Sequence, residues 1–251
     1  MSVNYALAGF LFIDKPVGPT SHDVVDKVRR ALGGRRTGIK VGHAGTLDPL
    51  ASGLLVIGVG ATTKLLSRLV GLPKTYEVEI TLGATSATDD AEGPIQKNPN
   101  DQILGPRPIS PGLTISNDVE QTLKNFIGEQ EQIPPTFSAK KQEGQRLYKI
   151  ARRGNAIAIK SHRITIFNIE LVKYEYPRMR LKVHCSSGTY IRALARDIGS
   201  ALKTGGYVSV LRRTAIGPFV IAQGIPLEKF KTATPILQEL HNQETVLGQL
   251  S

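Results

Sequence analysis

Asp48 is the first residue in this sequence whose setting suggests chemistry. It follows Gly42 and Gly45 and precedes Pro49 and Gly53. The glycines free the backbone and the proline drives Asp48 into an extended conformation, so one carboxylate is displayed on a shaped loop. An ionised carboxylate so placed can serve as a nucleophile, although an Asp-Pro pair taken alone marks only a turn. Two other side chains stand out by their setting. Tyr76 begins the alternating stretch YEVEITL, which sends Tyr76, Val78, Ile80 and Leu82 to one face of a strand. A strand tyrosine is usually packing, at the core or at its rim. Arg192 falls in the first turn of a helix expected from about Thr189, where acidic residues are favoured, so its charge asks for a partner.

The elements that position these groups follow from spacing. Ala8 to Ile13 reads as an opening strand, followed by a Lys15-Pro16 and Gly18-Pro19 turn. Thr20 to Asp23 then forms a capping box for a helix with Val24, Val25, Val28 and Leu32 on its apolar face, ended by Gly33-Gly34. Leu54 to Val59 is a glycine-bounded apolar run, either a strand buried on both faces or a short core helix, and the strand is the expectation. Helical spacing covers Ala61 to Leu69 and recurs at Val119, Leu123, Phe126 and Ile127 before Gly128. Leu147, Ile150 and Ala151 suggest a short helix stopped by Gly154. Ile164 to Val172 and Met179 to Val183 read as strands joined through Tyr176-Pro177, and Tyr207 to Arg213 as another. Ile191, Leu194, Ile198 and Leu202 make the buried stripe of the Arg192 helix. Residues 96–116, rich in Pro, Asn and Gly, read as an irregular surface excursion.

Composition narrows the class of function. The 251 residues can form one large domain or two smaller ones sharing a sheet, and 32 basic against 21 acidic residues leave a net charge of +11. Such a balance suits a polyanion: RNA, DNA or an acidic membrane surface. Arg29 and Arg30 lie with Lys27, Arg35, Arg36 and Lys40 ahead of the Asp48 loop. A second group, Lys140, Lys141, Arg146, Lys149, Arg152 and Arg153, interleaves with Phe137 and Tyr148, as a surface must that neutralises phosphates and offers rings to unstacked bases. The single cysteine, Cys185, excludes an internal disulfide and reads as a core thiol. No Cys/His cluster has metal-ligand spacing, and Asp89, Asp90 and Glu92 among turn residues are a weak metal signal, so metal-free chemistry without a cofactor is expected. The amino-terminal apolar run lacks a basic flank, and no stretch approaches a membrane span; a cytoplasmic protein is expected.

The twelve residues Gly42 to Gly53, GHAGTLDPLASG, resemble the signature of the TruB family of tRNA pseudouridine synthases. The Lys15-Pro16 turn with its capped helix, KTYEV around Tyr76, LGATSATDDAEGPI (82–95), QIPPTFSAKK, SGTYIR around Arg192 and YVSVLRR (207–213) are similar to the family's other segments. The resemblance implies isomerisation of uridine to pseudouridine at position 55 of the tRNA T-loop, after the nucleotide has flipped out of its stack. It implies that Asp48, Tyr76 and Arg192 are catalytic, with Arg192 paired to the aspartate. His43 would enter the vacated stack, Tyr190 would pack beneath the aspartate and Leu211 would touch the base. Lys15 would be a structural support or a phosphate contact. Arg29, Arg30, Lys140, Lys141, Arg152 and Arg153 would meet the RNA backbone. The implied architecture is the α+β pseudouridine-synthase fold, an extended, mainly antiparallel sheet flanked by helices and loops around a central cleft. Residues 1–225 would form the catalytic domain, and 226–251 a short helix and tail in which the family's PUA domain is not apparent. The T-arm of tRNA is the expected partner, bound by a monomer with no obligatory protein partner. Attack at C6 of the base and at C1′ of the ribose both remain open.

Three rivals have distinct signatures. Ile57-Gly58-Val59-Gly60 follows a strand but lacks the third glycine of a dinucleotide fingerprint, and no P-loop is present. A non-catalytic RNA-binding module would account for the charge but not for the displayed Asp48. An RNA-guided, dyskerin-like synthase shares the motifs and differs in needing partners.

Overall fold

Alternation and glycine punctuation translate into strands along most of the chain. The computed structural model describes residues 7–98, 115–136, 141–142, 145–146 and 160–250. In chain order these form β1 (Gly9–Lys15), α1 (Ser21–Ala31), β2 (Val41–His43), β3 (Ala51–Val59), α2 (Leu66–Val70), β4 (Lys74–Leu82), β5 (Ala84–Ser86) and β6 (Ile95–Lys97). There follow α3 (Ile115–Asn125), β7 (Gly128–Gln132), β8 (Lys141–Gln142), β9 (Gln145–Arg146), β10 (His162–Glu175), β11 (Arg178–Cys185) and α4 (Ile191–Ala201). The chain continues through β12 (Gly206–Ile216), β13 (Phe219–Val220), β14 (Ile225–Pro226), α5 (Ala233–Gln238) and α6 (Gln243–Gly248). The fold is α+β, with a large, mostly antiparallel sheet and flanking helices. It divides into two compact units, Met1–Tyr76 with Arg212–Ser251, and Glu77–Leu211, so that β4 and β12 each contribute residues to both.

In the first unit β1 runs antiparallel to β3 from Gly9↔Val59 to Lys15↔Gly53, β2 pairs with β3 at Ile57–Val59, and β14 lies parallel to β1. Leu54 and Val56 face one way and Leu55 and Ile57 the other, and all four are fully buried, so β3 is the two-faced core strand its apolar run suggests. Phe10, Phe12, Leu54, Val56, Leu69, Ile216 and Phe219 share one cluster, with the Phe12 and Phe219 rings stacked at 5.0 Å. Thr20 caps α1 by the reciprocal bonds with Asp23 that the capping box predicts, and Val24, Val25 and Val28 are buried. The stretch 61–69 departs from a regular helix. It begins as a 3₁₀ segment, Gly60–Leu65, because Thr62 donates to the Gly9 and Val59 carbonyls and Thr63 to Gly60, tying the turn to its own backbone.

In the second unit β10 and β11 form a long antiparallel hairpin through Tyr176-Pro177, and β7 pairs with the other edge of β10. The β4 alternation holds throughout, with Val78, Ile80 and Leu82 buried. Cys185 is fully buried, as a core thiol should be. Two boundaries shift. Phe126 and Ile127 fall beyond α3 and bond to carbonyls three residues back, and Tyr190 caps α4 from outside its first turn.

Candidate active site

The loop bearing Asp48 joins β2 to β3, and its shape comes from below. Ala44, Leu47 and Leu50 turn inward and are buried, which leaves Asp48 half-exposed between them. The Asp48 carbonyl accepts a bond from Ala51 at 3.1 Å, closing the turn, and the Pro49 carbonyl accepts one from Gly18 at 2.8 Å. From the first turn of α1 the buried Ser21 hydroxyl accepts the Leu47 N–H at 2.8 Å and donates to the Leu47 carbonyl at 3.1 Å. Arg213, only 1% exposed, donates to the carbonyls of Leu54 at 2.8 Å, Gly45 at 3.1 Å and Thr46 at 3.4 Å. Gly53 has φ +106°, and a Cβ there would sit 2.2 Å from the Arg213 carbonyl oxygen, so the position admits only glycine.

The same unit carries five more of the predicted residues. Tyr76, at 9% exposure, points inward from β4 as alternation requires. Lys15 is fully buried at the end of β1, and its ammonium donates to the Pro16 and Pro19 carbonyls at 2.8 Å each, holding the turn before α1. His43 is half-buried at the end of β2; burial, helped by the charges of Arg213 and His22, holds its imidazole below the usual value. Arg29 is drawn to Asp26 and to the Val41 carbonyl, whereas Arg30 is exposed. Arg29, Arg35, Lys40, Val41 and Gly42 are among the residues lining a pocket of about 490 Å³.

Arg192 lies in the second unit, on α4, and is 6% exposed. Its guanidinium donates to the Asp90 carboxylate at 3.1 Å and to the Thr88 carbonyl at 3.0 Å. The other Asp90 oxygen accepts from the Thr88 hydroxyl and from the Glu92 N–H, so the carboxylate is a fixed seat for the cation. One helical turn on, Arg196 pairs with Asp89 at 2.9 Å and reaches the Ile133 carbonyl. Burial pushes the Asp89 carboxyl up despite that pairing. The acidic residues of the 82–95 segment thus hold arginines of α4. The Tyr190 N–H donates to the buried Gln132 side-chain oxygen at 2.9 Å and its carbonyl accepts from the Gln132 NH₂ at 3.1 Å, and its ring meets the His162 ring edge-on. Leu211 is buried on β12. Lys140, Arg152 and Arg153 lie outside the described residues, as does the helix expected at 147–151; Lys141 lies in β8.

A model of the TruB family pseudouridylate synthase amino-terminal domain matches residues 29–191, and one of the tRNA pseudouridylate synthase B carboxy-terminal domain matches 192–250. The chain belongs to the TruB family. It is 40% identical over 227 residues to the tRNA pseudouridine synthase B of Syntrophotalea carbinolica, covering 90% of this chain and 70% of that one. It is 41% identical to the protein of the same name from Corynebacterium glutamicum, covering 89% and 72%. A solved Cbf5-Nop10-Gar1 complex contains a chain that is similar with a TM-score of 0.64 at 29% identity, over 88% of this chain and 52% of that one. A chain in an H/ACA ribonucleoprotein bound to a substrate RNA containing 2′-deoxyuridine shares the fold, with a TM-score of 0.66 at 24% identity, over 96% and 61%.

Within this TruB chain three supporting residues escape a motif-based reading: Asp90, Gln132 and Arg213. Asp90 reads only as part of a weak metal signal in sequence; the structure spends it on Arg192 instead. Arg213 follows Leu211 by two residues on a strand, so an inward Leu211 implies an inward Arg213. Gln132 carries no local signal, because its partner is 58 residues away. Among the described residues no helix is long and apolar enough to cross a membrane.

Proposed function

We propose that the chain converts uridine 55 in the T-loop of tRNA to pseudouridine, with Asp48 as the nucleophile. The observation that carries this reading is the Asp48 loop: a carboxylate on a loop whose main chain is bonded to the Gly18 N–H, the Ser21 hydroxyl and the Arg213 guanidinium is fixed in aim yet, half-exposed, open to a substrate. The reaction breaks the N1–C1′ bond and makes a C5–C1′ bond, and the proton lost from C5 is balanced by one gained at N1. No electrons enter or leave, so side chains alone can supply the chemistry. Asp48 attacks C6 of the base or C1′ of the ribose, the N1–C1′ bond breaks, the freed uracil turns, C5 bonds to C1′, and the bond to Asp48 breaks again to return the free carboxylate. Tyr76 stacks on the flipped base and its hydroxyl moves the proton. His43, neutral at physiological pH, fills the gap left in the loop, at a flipping cost of a few kcal/mol. Arg192 is assigned the cation of the site, from the SGTYIR motif in which it stands. Leu211 and Tyr190 bound the base, and the protein acts as a cytoplasmic monomer on tRNA alone.

The test is a naked T-arm transcript tritiated at C5 of its uridines. Purified protein should release tritium from position 55 over many turnovers. Release that required a guide RNA or added proteins would overturn this reading in favour of a guided synthase, and tight binding without release would reduce the protein to an RNA-binding module.

A further inference from the structure

We propose that Arg213 is a positioning residue for this reaction: its buried guanidinium ties both stems of the Asp48 loop together and so sets the aim of the carboxylate. The inference rests on Asp48 being the nucleophile. Gly45 and Thr46 precede Asp48 and Leu54 follows it, and Arg213 donates to all three carbonyls. The donors diverge as only a guanidinium's do. Nε faces Leu54, Nη1 faces Thr46 and Nη2 faces Gly45, a span that the single ammonium of lysine cannot cover. Burying a cation is expensive, and core stability alone would favour an apolar side chain at this strand position. The bonds Arg213 makes among the described residues all go to main-chain carbonyls, so its charge has been placed beneath the loop and not spent on an acid. At His43, burial first and then the charges of Arg213 and His22 disfavour protonation. The backbone of Arg213 adds to the fit, because its carbonyl lies where any side chain at Gly53 would have to go.

Arg213→Lys keeps the charge and loses the fork; Arg213→Met keeps the length and loses both. With the T-arm transcript, single-turnover rate, KM and thermal melting are measured for both variants, and the His43 titration is followed by NMR. A displaced loop misaims the carboxylate without removing RNA contacts, so Arg213→Lys should lower the rate on the order of tenfold to a hundredfold with KM nearly unchanged. Its His43 titration should stay near that of the parent protein, whereas in Arg213→Met it should rise. A Lys variant as fast as the parent overturns the proposal, and so does a fall in rate matched by loss of melting transition in both variants, which would make Arg213 a requirement of the core. Failure of the wider reading looks different: the parent protein itself would then release no tritium.

Discussion

Asp48 is the residue on which the reading depends, and Asn is its closest neutral replacement. Asp48→Asn keeps the size and the backbone bond that the carbonyl accepts from Ala51, so tRNA should still bind in a filter assay while tritium release vanishes. Release at a near-parental rate would remove Asp48 from the mechanism. Tyr76 has two properties to separate. Tyr76→Phe keeps the ring and should hold tRNA affinity while losing a factor of roughly a hundred or more in rate, the scale of general acid–base catalysis. Tyr76→Leu removes the ring as well and should weaken the complex by about 1–3 kcal/mol of stacking. His43 carries a pH prediction. Its folded value lies below the ordinary 6.5, so as pH falls through about 6.5 the unfolded chain binds a proton that the native chain resists. Stability is therefore lost on the acid side, and His43→Gln should flatten the decline in melting temperature from about pH 7 to about pH 5. At this scale the displayed acid and the inward phenol were legible, since a loop of glycines and a clean alternation reveal direction. The seat of Arg192 was not, because a salt bridge to Asp90 spans 102 positions that no local pattern connects.

Elements carry the same lesson in α1. Its capping box, its valine face and its glycine stop are local and can be read directly from Thr20 to Gly34. What that helix does for the site is non-local. Ser21, adjacent to the cap, uses its hydroxyl on Leu47, 26 residues away, one residue before Asp48. Two neighbouring substitutions should therefore behave differently. Thr20→Ala breaks the cap and should cost about 1 kcal/mol of stability with little change in turnover. Ser21→Ala leaves the buried Leu47 N–H and carbonyl without their partner, a loss of about 1–3 kcal/mol, and frees the residue beside the nucleophile. Melting temperature should fall in both, but only Ser21→Ala should also lose rate. Equal rates in the two variants would mean that α1 supports the loop by packing alone. The 3₁₀ start at Gly60 has a similar origin, since the threonine bonds to Gly9 and Val59 outweigh the helical spacing of the leucines.

At the scale of the whole molecule, the net charge of +11 identifies the kind of partner but not which cations meet it. The structure sorts the amino-terminal group. Arg29 is half-buried and spends itself on Asp26 and Val41, whereas Arg30, Arg35, Arg36 and Lys40 are exposed. Phosphate neutralisation releases counterions, so log affinity for tRNA should fall linearly with log salt, by roughly 0.7–0.9 per phosphate contact. Replacing Arg35, Arg36 and Lys40 together by Ala should then reduce the slope by about 2–3 if each meets a phosphate. Arg29→Ala should leave the slope nearly unchanged, because its charge is already matched by Asp26, and its effect should appear in melting temperature. The comparison is made by titrating labelled T-arm at several salt concentrations. An unchanged slope in the triple variant would make these cations ordinary solvated surface and shift the electrostatic burden to the basic cluster of residues 140–153. A loss of affinity that is the same at every salt concentration would point instead to a damaged fold, which thermal melting of the triple variant separates from the loss of phosphate contacts.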